Sequence, residues 1–211
     1  MLKDIKQFLL DNSNSSFIFE EDNTSLKVVE EVNNVPSFES YFVLNYLPEQ
    51  NIWEIISVIR NNRRLLKRFE DENVAYFAFV SVVIKYSTKP VINKPNISSE
   101  LDLSNENNIS KINKLLNSII DERNYSIFSP KHNAVVLLKQ NSIYVVYYYD
   151  NEGCEFVISD DNEDFDIGVT VLFNHAWYLY LLEQLVTKWP YEIKKDSKGY
   201  EEIKKLMLRI K

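Results

Sequence analysis

The chain has 211 residues, 45% hydrophobic and 26% charged, with a formal net charge of −7. That composition is globular and excludes a disordered chain. The three glycines, Gly153, Gly168 and Gly199, cannot write a dinucleotide-binding, P-loop or serine-hydrolase motif. The single cysteine, Cys154, excludes an intrachain disulfide and a multi-cysteine zinc site. No catalytic, cofactor-binding or metal-ligating residue is assigned from sequence.

Residues 2–10 read as a short helix with Leu2, Ile5, Phe8 and Leu9 near one face. Phe17–Glu20 and Leu26–Val32 read as strands around a polar turn. A third strand, Phe38–Leu47, is closed by Pro48. Asn51–Phe69 reads as a helix: at about 100° per residue Ile52, Ile55, Val58, Ile59, Leu65, Leu66 and Phe69 share one arc. Arg60, Arg63, Arg64, Lys67 and Arg68 share the opposite arc, with Trp53 among them. Val74–Tyr86 is apolar at both alternate positions and reads as a long central strand covered on two sides.

Ser87–Asn108, with Pro90 and Pro95, reads as a polar loop and as the place for a boundary if the single domain divides. Ser110 is placed to cap a helix running to Asp121, with Ile112, Leu115, Leu116 and Ile119 inward. Ala134–Lys139, Ser142–Asp150 and Cys154–Ser159 form a three-strand meander. Asn174 is placed to cap a helix of Ala176–Lys188, ended by Pro190, and a last lysine-rich helix spans Tyr200–Ile210. This order predicts an α+β fold: helices packed on a mostly antiparallel sheet, with a meander and then two helices at the C-terminal end.

The negative charge is local. Residues 150–166 contain Asp150, Glu152, Glu155, Asp160, Asp161, Glu163, Asp164 and Asp166, without a Lys or Arg. Asp160 to Asp166 fails as an EF-hand loop, because Phe165 stands where glycine is needed and Val171 where a bidentate glutamate is needed. The remaining readings are a solvated loop or a partner-binding acidic surface, balanced by another molecule or by the lysine-rich C-terminal segment. His132 and His175 have no second ligand at metal spacing. Cys154 and His175 form a nucleophile–base pair only if the fold joins them, and the carboxylates of Glu152 and Glu155 beside it make the thiol a poorer nucleophile. Tyr144, Tyr147, Tyr148 and Tyr149 crowd one strand, but the adjoining turn is acidic, which argues against nucleic acid. Trp53 with Arg60 and Arg64 has the composition of an interface hot spot.

Tyr149-Asp150-Asn151-Glu152-Gly153-Cys154-Glu155, preceded by Ile143 to Tyr148, resembles a strand–turn–strand pattern of Y-D-D-R-G-C-D type. That pattern is associated with an uncharacterised bacterial family found among immunity proteins of polymorphic toxin systems. Trp177, Trp189 and Tyr191 fit it as well. Glu152 departs from it, standing where the pattern has Arg. The resemblance covers Ala134 to Ile193 and implies a small, cytosolic, non-catalytic protein that binds and blocks a toxin.

The leading expectation is therefore a protein-binding immunity protein whose partner is a basic toxin domain. Its contact residues are Asp160, Asp161, Glu163, Asp164 and Asp166, with Trp53, Arg60 and Arg64 as a second candidate surface. An enzyme with dispersed residues and a structural or regulatory subunit are the alternatives. No apolar run reaches about 18 residues, so no membrane span is expected. The N-terminal residues lack a secretory signal and the thiol is single, so a cytoplasmic setting is expected. No cofactor is implied, and the oligomeric state is not indicated.

Overall fold

The computed structural model describes residues 2–33, 35–88, 95–101 and 104–210. The fold is α+β, with one wholly antiparallel sheet, a second mixed sheet and two helices after the last strand. The chain divides into two compact units. One holds the residues up to Thr88 together with Leu185–Leu206, and the other holds the described residues up to Gln184 and from Met207 onward.

In the first unit, helix α1 (Leu2–Asn12) precedes five strands that run as a meander: β1 (Ser16–Glu21), β2 (Ser25–Val32), β3 (Val35–Leu47), β4 (Ile52–Ile59) and β5 (Asn62–Phe69). Each strand pairs antiparallel with the next. Helix α2 (Glu72–Ser87) packs on this sheet and on α1. Trp189 brings the later segment into the same core. Its indole stands edge-on to Phe8 at 4.9 Å and 5.6 Å from Phe77, and its Nε1 donates to Asn73 Oδ1 at 2.8 Å.

Two sequence expectations are corrected here. Asn51–Phe69 is a β-hairpin and not a helix. Ile52, Ile55, Ile56, Val58 and Ile59 are β-branched and favour a pleated surface. Arg60 and Asn61 then adopt φ of 48° and 65°, a two-residue turn whose twist suits a hairpin. Ile59 pairs with Asn62 across it, and Leu66 is left out of register as a bulge between the Ile55–Lys67 and Ile56–Leu65 pairs. Ile55 is buried as expected, but Leu66 is only half-buried and Ile59 is 54% exposed.

Conversely, Val74–Tyr86 is helical. Asp71 caps α2 by accepting a bond from the Val74 N–H, and Ala75–Lys85 are buried without a break. A helix buried on every side carries no amphipathic phase, so it reads like a strand covered on two sides.

The second unit has helices α3 (Pro95–Leu101) and α4 (Ile109–Asn117), then β6 (Tyr125–Ile127), β7 (Ala134–Gln140), β8 (Ile143–Tyr149) and β9 (Glu155–Asn162) in that spatial order. The short strand β6, which sequence reasoning missed, pairs parallel with β7; the other pairs are antiparallel. Of the expected loop 87–108, residues 89–94 and 102–103 lie outside the described residues, while α3 and a 3₁₀ turn at Glu106–Asn108 occupy much of the rest.

Helix α5 (Phe165–Lys188) lies on the face of this sheet formed by Val135, Leu137, Tyr144, Val146 and Tyr148. Gly168 permits the close approach: a Cβ there would come within 2.9 Å of Leu137 Cδ1. Helix α5 starts eleven residues before the expected Ala176, so Asn174 is interior and caps nothing; its Oδ1 is buried without a partner among the described residues. The last helix, α6, spans Lys198–Leu208.

Candidate protein-binding edge

The carboxylates of the acidic segment are organised by the junction of β9 and α5. The expected loop is short, because β9 runs through Asp160 and Asp161 to Asn162, and α5 begins at Phe165. Only Glu163 and Asp164 lie between them. Two buried side chains hold the junction. Asn162 donates from Nδ2 to the Tyr144 carbonyl at 2.8 Å, and Phe165 packs its ring against Phe128 and Tyr144. With both flanks pinned inward, Glu163 and Asp164 face solvent, as do Asp160 and Asp161, and Asp166 is half-buried.

β9 is an edge strand of its sheet, and it is irregular. Its register against β8 shifts between Tyr144 and Val146 and again between Val146 and Tyr147. Bulges of this kind twist an edge away from uncontrolled pairing. Exposed apolar side chains accompany the charges: Val157 on β9 is 53% exposed and Ile167 in the first turn of α5 is 48% exposed.

The helix explains how so many like charges are tolerated. The Asp164 carbonyl accepts from the Gly168 N–H at 3.1 Å, so Glu163, Asp164 and Asp166 surround the N-terminus of α5. Unsatisfied N–H groups there carry partial positive charge and favour carboxylates by about 0.3–1 kcal/mol each. Among the described residues, none of Asp160, Asp161, Glu163, Asp164 and Asp166 forms an ion pair. In α6, Lys204 pairs with Glu201 at 2.7 Å, and Glu202 takes Lys67 of β5.

Beside this edge, Glu106 accepts bonds from Lys139 Nζ at 2.6 Å and from the Tyr144 hydroxyl. The Lys139 bond, then the Tyr144 bond, hold the Glu106 carboxyl below the usual range, and the same carboxylate pushes the Tyr144 phenol up. Such a cluster stays ionised at Glu106 and protonated at Tyr144. It ties the 3₁₀ turn to the sheet and does not activate either group.

The second candidate surface is divided by the hairpin. Trp53 pairs with Tyr46 and Phe69, whereas Arg60 is in the turn at the opposite end of β4. Arg60 is seven positions along the chain from Trp53, roughly 23 Å at about 3.3 Å per residue. Trp53 is half-buried, its ring 4.6 Å from Tyr46 and 4.8 Å from Tyr76. Arg60 and Arg64 are exposed, and Arg64 lies across from Ser57. The structure therefore does not bring Trp53, Arg60 and Arg64 onto one helical face.

The histidine beside the Cys154 turn is His132. Gly153, at φ +82°, lies so close that a Cβ would come within 3.1 Å of the His132 ring. Asp150 closes the turn through Oδ1, which accepts from the N–H groups of Glu152 and Cys154. His175 sits in the middle of α5, where Nδ1 donates to the Val171 carbonyl at 2.9 Å and the ring stands edge-on to Tyr178. Tyr144, Tyr147, Tyr148 and Tyr149 are all buried. Among the described residues no group of three or more His, Cys, Asp or Glu side chains is placed to hold a metal ion, and no helix is long and apolar enough to cross a membrane.

Comparison with family models, with curated proteins and with solved structures finds no match to this chain.

Proposed function

We propose that this chain is a non-enzymatic binding protein that receives a basic partner along the β9–α5 edge, and most concretely an immunity protein that neutralises a toxin in the cytoplasm by direct contact. The observation that carries the reading is the combination at that edge. Four exposed carboxylates, Asp160, Asp161, Glu163 and Asp164, have no ion-pair partner among the described residues and are flanked by exposed Val157 and Ile167. Charges of one sign steer an oppositely charged surface and set its register, while apolar side chains among them supply the desolvated contact. A nuclease toxin, whose own surface is basic for phosphate, fits this chemistry.

The test uses the purified chain and the protein encoded by the adjacent gene. The reading predicts a complex, suppression of that protein's toxicity, and slowed amide exchange at Glu155–Asn162 within the complex. A complex that protects only residues elsewhere would overturn the placement of the interface. A folded chain that neutralises its partner catalytically, at far below equal stoichiometry, would overturn the non-enzymatic reading.

A further inference from the structure

A cleft of about 100 Å³ opens in the first unit between the inner face of its sheet and the C-terminal end of α2. Phe17, Val28, Phe42 and Val83 give it apolar walls, and Ile59 and Tyr86, both exposed, form its lips. Polar groups are few and placed asymmetrically.

Ser57 lies on the cleft wall and is only 7% exposed, yet its hydroxyl bonds to no described residue. Its oxygen stays open to the cleft and is available to a polar atom of a molecule seated there. Glu30 is half-buried at the cleft's other side. Its Oε1 accepts from the Ser15 hydroxyl at 2.5 Å, and its second oxygen takes no bond from a described residue. Across the sheet, Arg64 pairs with Ser57 on β5, three strands from Glu30 on β2. Cross-strand partners share a face, so positive charge lies at the Arg64 side and negative charge at the Glu30 side.

From this arrangement we propose that the cleft is a binding site for a small free amine: a primary ammonium on a compact apolar body, held with the ammonium at Glu30, the body between Val28, Phe42 and Val83, and Ser57 bonding a polar atom of the ligand where it has one. The volume suits the ligand. An apolar cavity of about 150 Å³ holds benzene, and here the open mouth lets Ile59 and Tyr86 grip what the cleft does not enclose. The site shares no residue with the β9–α5 edge.

The probes are three molecules of one shape: 2-phenylethylamine, 2-phenylethanol and 3-phenylpropionate. Binding to the full chain is read by methyl NMR shifts at Val28 and Val83. The amine binds about tenfold tighter than the alcohol, as a charge-assisted bond of roughly 1.5 kcal/mol requires, and the carboxylate binds weakest. Glu30→Gln, which keeps an acceptor for Ser15, brings amine and alcohol into line without changing the unfolding midpoint. Val83→Trp fills the cleft and abolishes binding of all three. Equal binding of amine and alcohol, tighter binding of the carboxylate, or shifts confined to residues outside the cleft would each overturn the assignment. If Glu30→Gln unfolds the chain, the ranking of the three probes on the unaltered protein still decides it.

Discussion

The Asn162 amide donates to the Tyr144 carbonyl at 2.8 Å, and this bond fixes where the acidic edge leaves the sheet. Asn162 is buried, so its carboxamide needs that partner. Asn162→Ala removes the donor and leaves the Tyr144 carbonyl without it, at a cost of about 1–3 kcal/mol. Denaturant unfolding measures the loss. Because the bond also fixes where Glu163 and Asp164 leave the sheet, the proposed function predicts a lower affinity for a basic partner in the variant even where it remains folded. A variant of unchanged stability would show that Phe165 alone pins the junction.

The hairpin in place of a helix at Asn51–Phe69 is tested at its turn. Arg60 and Asn61 both have positive φ, which costs a residue with a Cβ about 1–2 kcal/mol, less for asparagine. Arg60→Asn combined with Asn61→Gly matches a hairpin turn and raises stability by about 1 kcal/mol. In a helix the same glycine lowers it by about 1 kcal/mol. The sign of the change in thermal midpoint separates the two.

Trp53 contributes to packing through Tyr46 and Tyr76. Trp53→Ala should cost about 3 kcal/mol, the low end for a large aromatic because the ring is half-buried. Thermal unfolding checks this. A variant that melts unchanged but loses a partner would instead make Trp53 an interface residue.

Asp121 supplies a pH test. Hydrogen bonds from the Arg123 side chain, then from the Arg123 N–H, pull its carboxyl from 3.8 to about 2. A carboxyl whose folded pKa is depressed stabilises the fold fully above its unfolded value. That contribution fades as pH falls from about 4 to about 2, and exposure of the pair keeps it small. NMR titration of the side-chain carboxyl should find a midpoint near 2, moving toward the ordinary value in Arg123→Ala. A midpoint near 4 in the unaltered chain contradicts the pairing.

Alternation along β1 to β3 and the meander β7 to β9 was legible because polar turns separate short strands whose inward residues recur at every second position. The exchange of helix and strand between residues 51 and 86 has two causes. Ile52, Ile55, Val58 and Ile59 satisfy a helical arc as well as a strand covered on both faces, and the turn at Arg60–Asn61 has neither Gly nor Pro to announce it. In α2 the unbroken apolar run erased the phase, and its length was the one signal favouring a helix. At the acidic segment, charge density masked both the end of β9 and the start of α5. The five carboxylates were still identifiable from composition, but their attachment to an edge strand and a helix N-terminus was not. The contact of His132 with Gly153 and the cleft around Ser57 join residues distant in sequence. The cleft also depends on α2 being a helix.

The most direct test of the proposed edge is the association rate between this chain and the basic partner we propose for it, as a function of ionic strength. The comparison is between the unaltered chain and one with Asp160, Asp161, Asp164 and Asp166 changed to Asn and Glu163 to Gln. The account predicts that the unaltered chain associates at least about tenfold faster at low salt, that this advantage fades as salt rises, and that the neutralised variant is nearly flat. Equal rates for the two folded proteins at every salt concentration would contradict it.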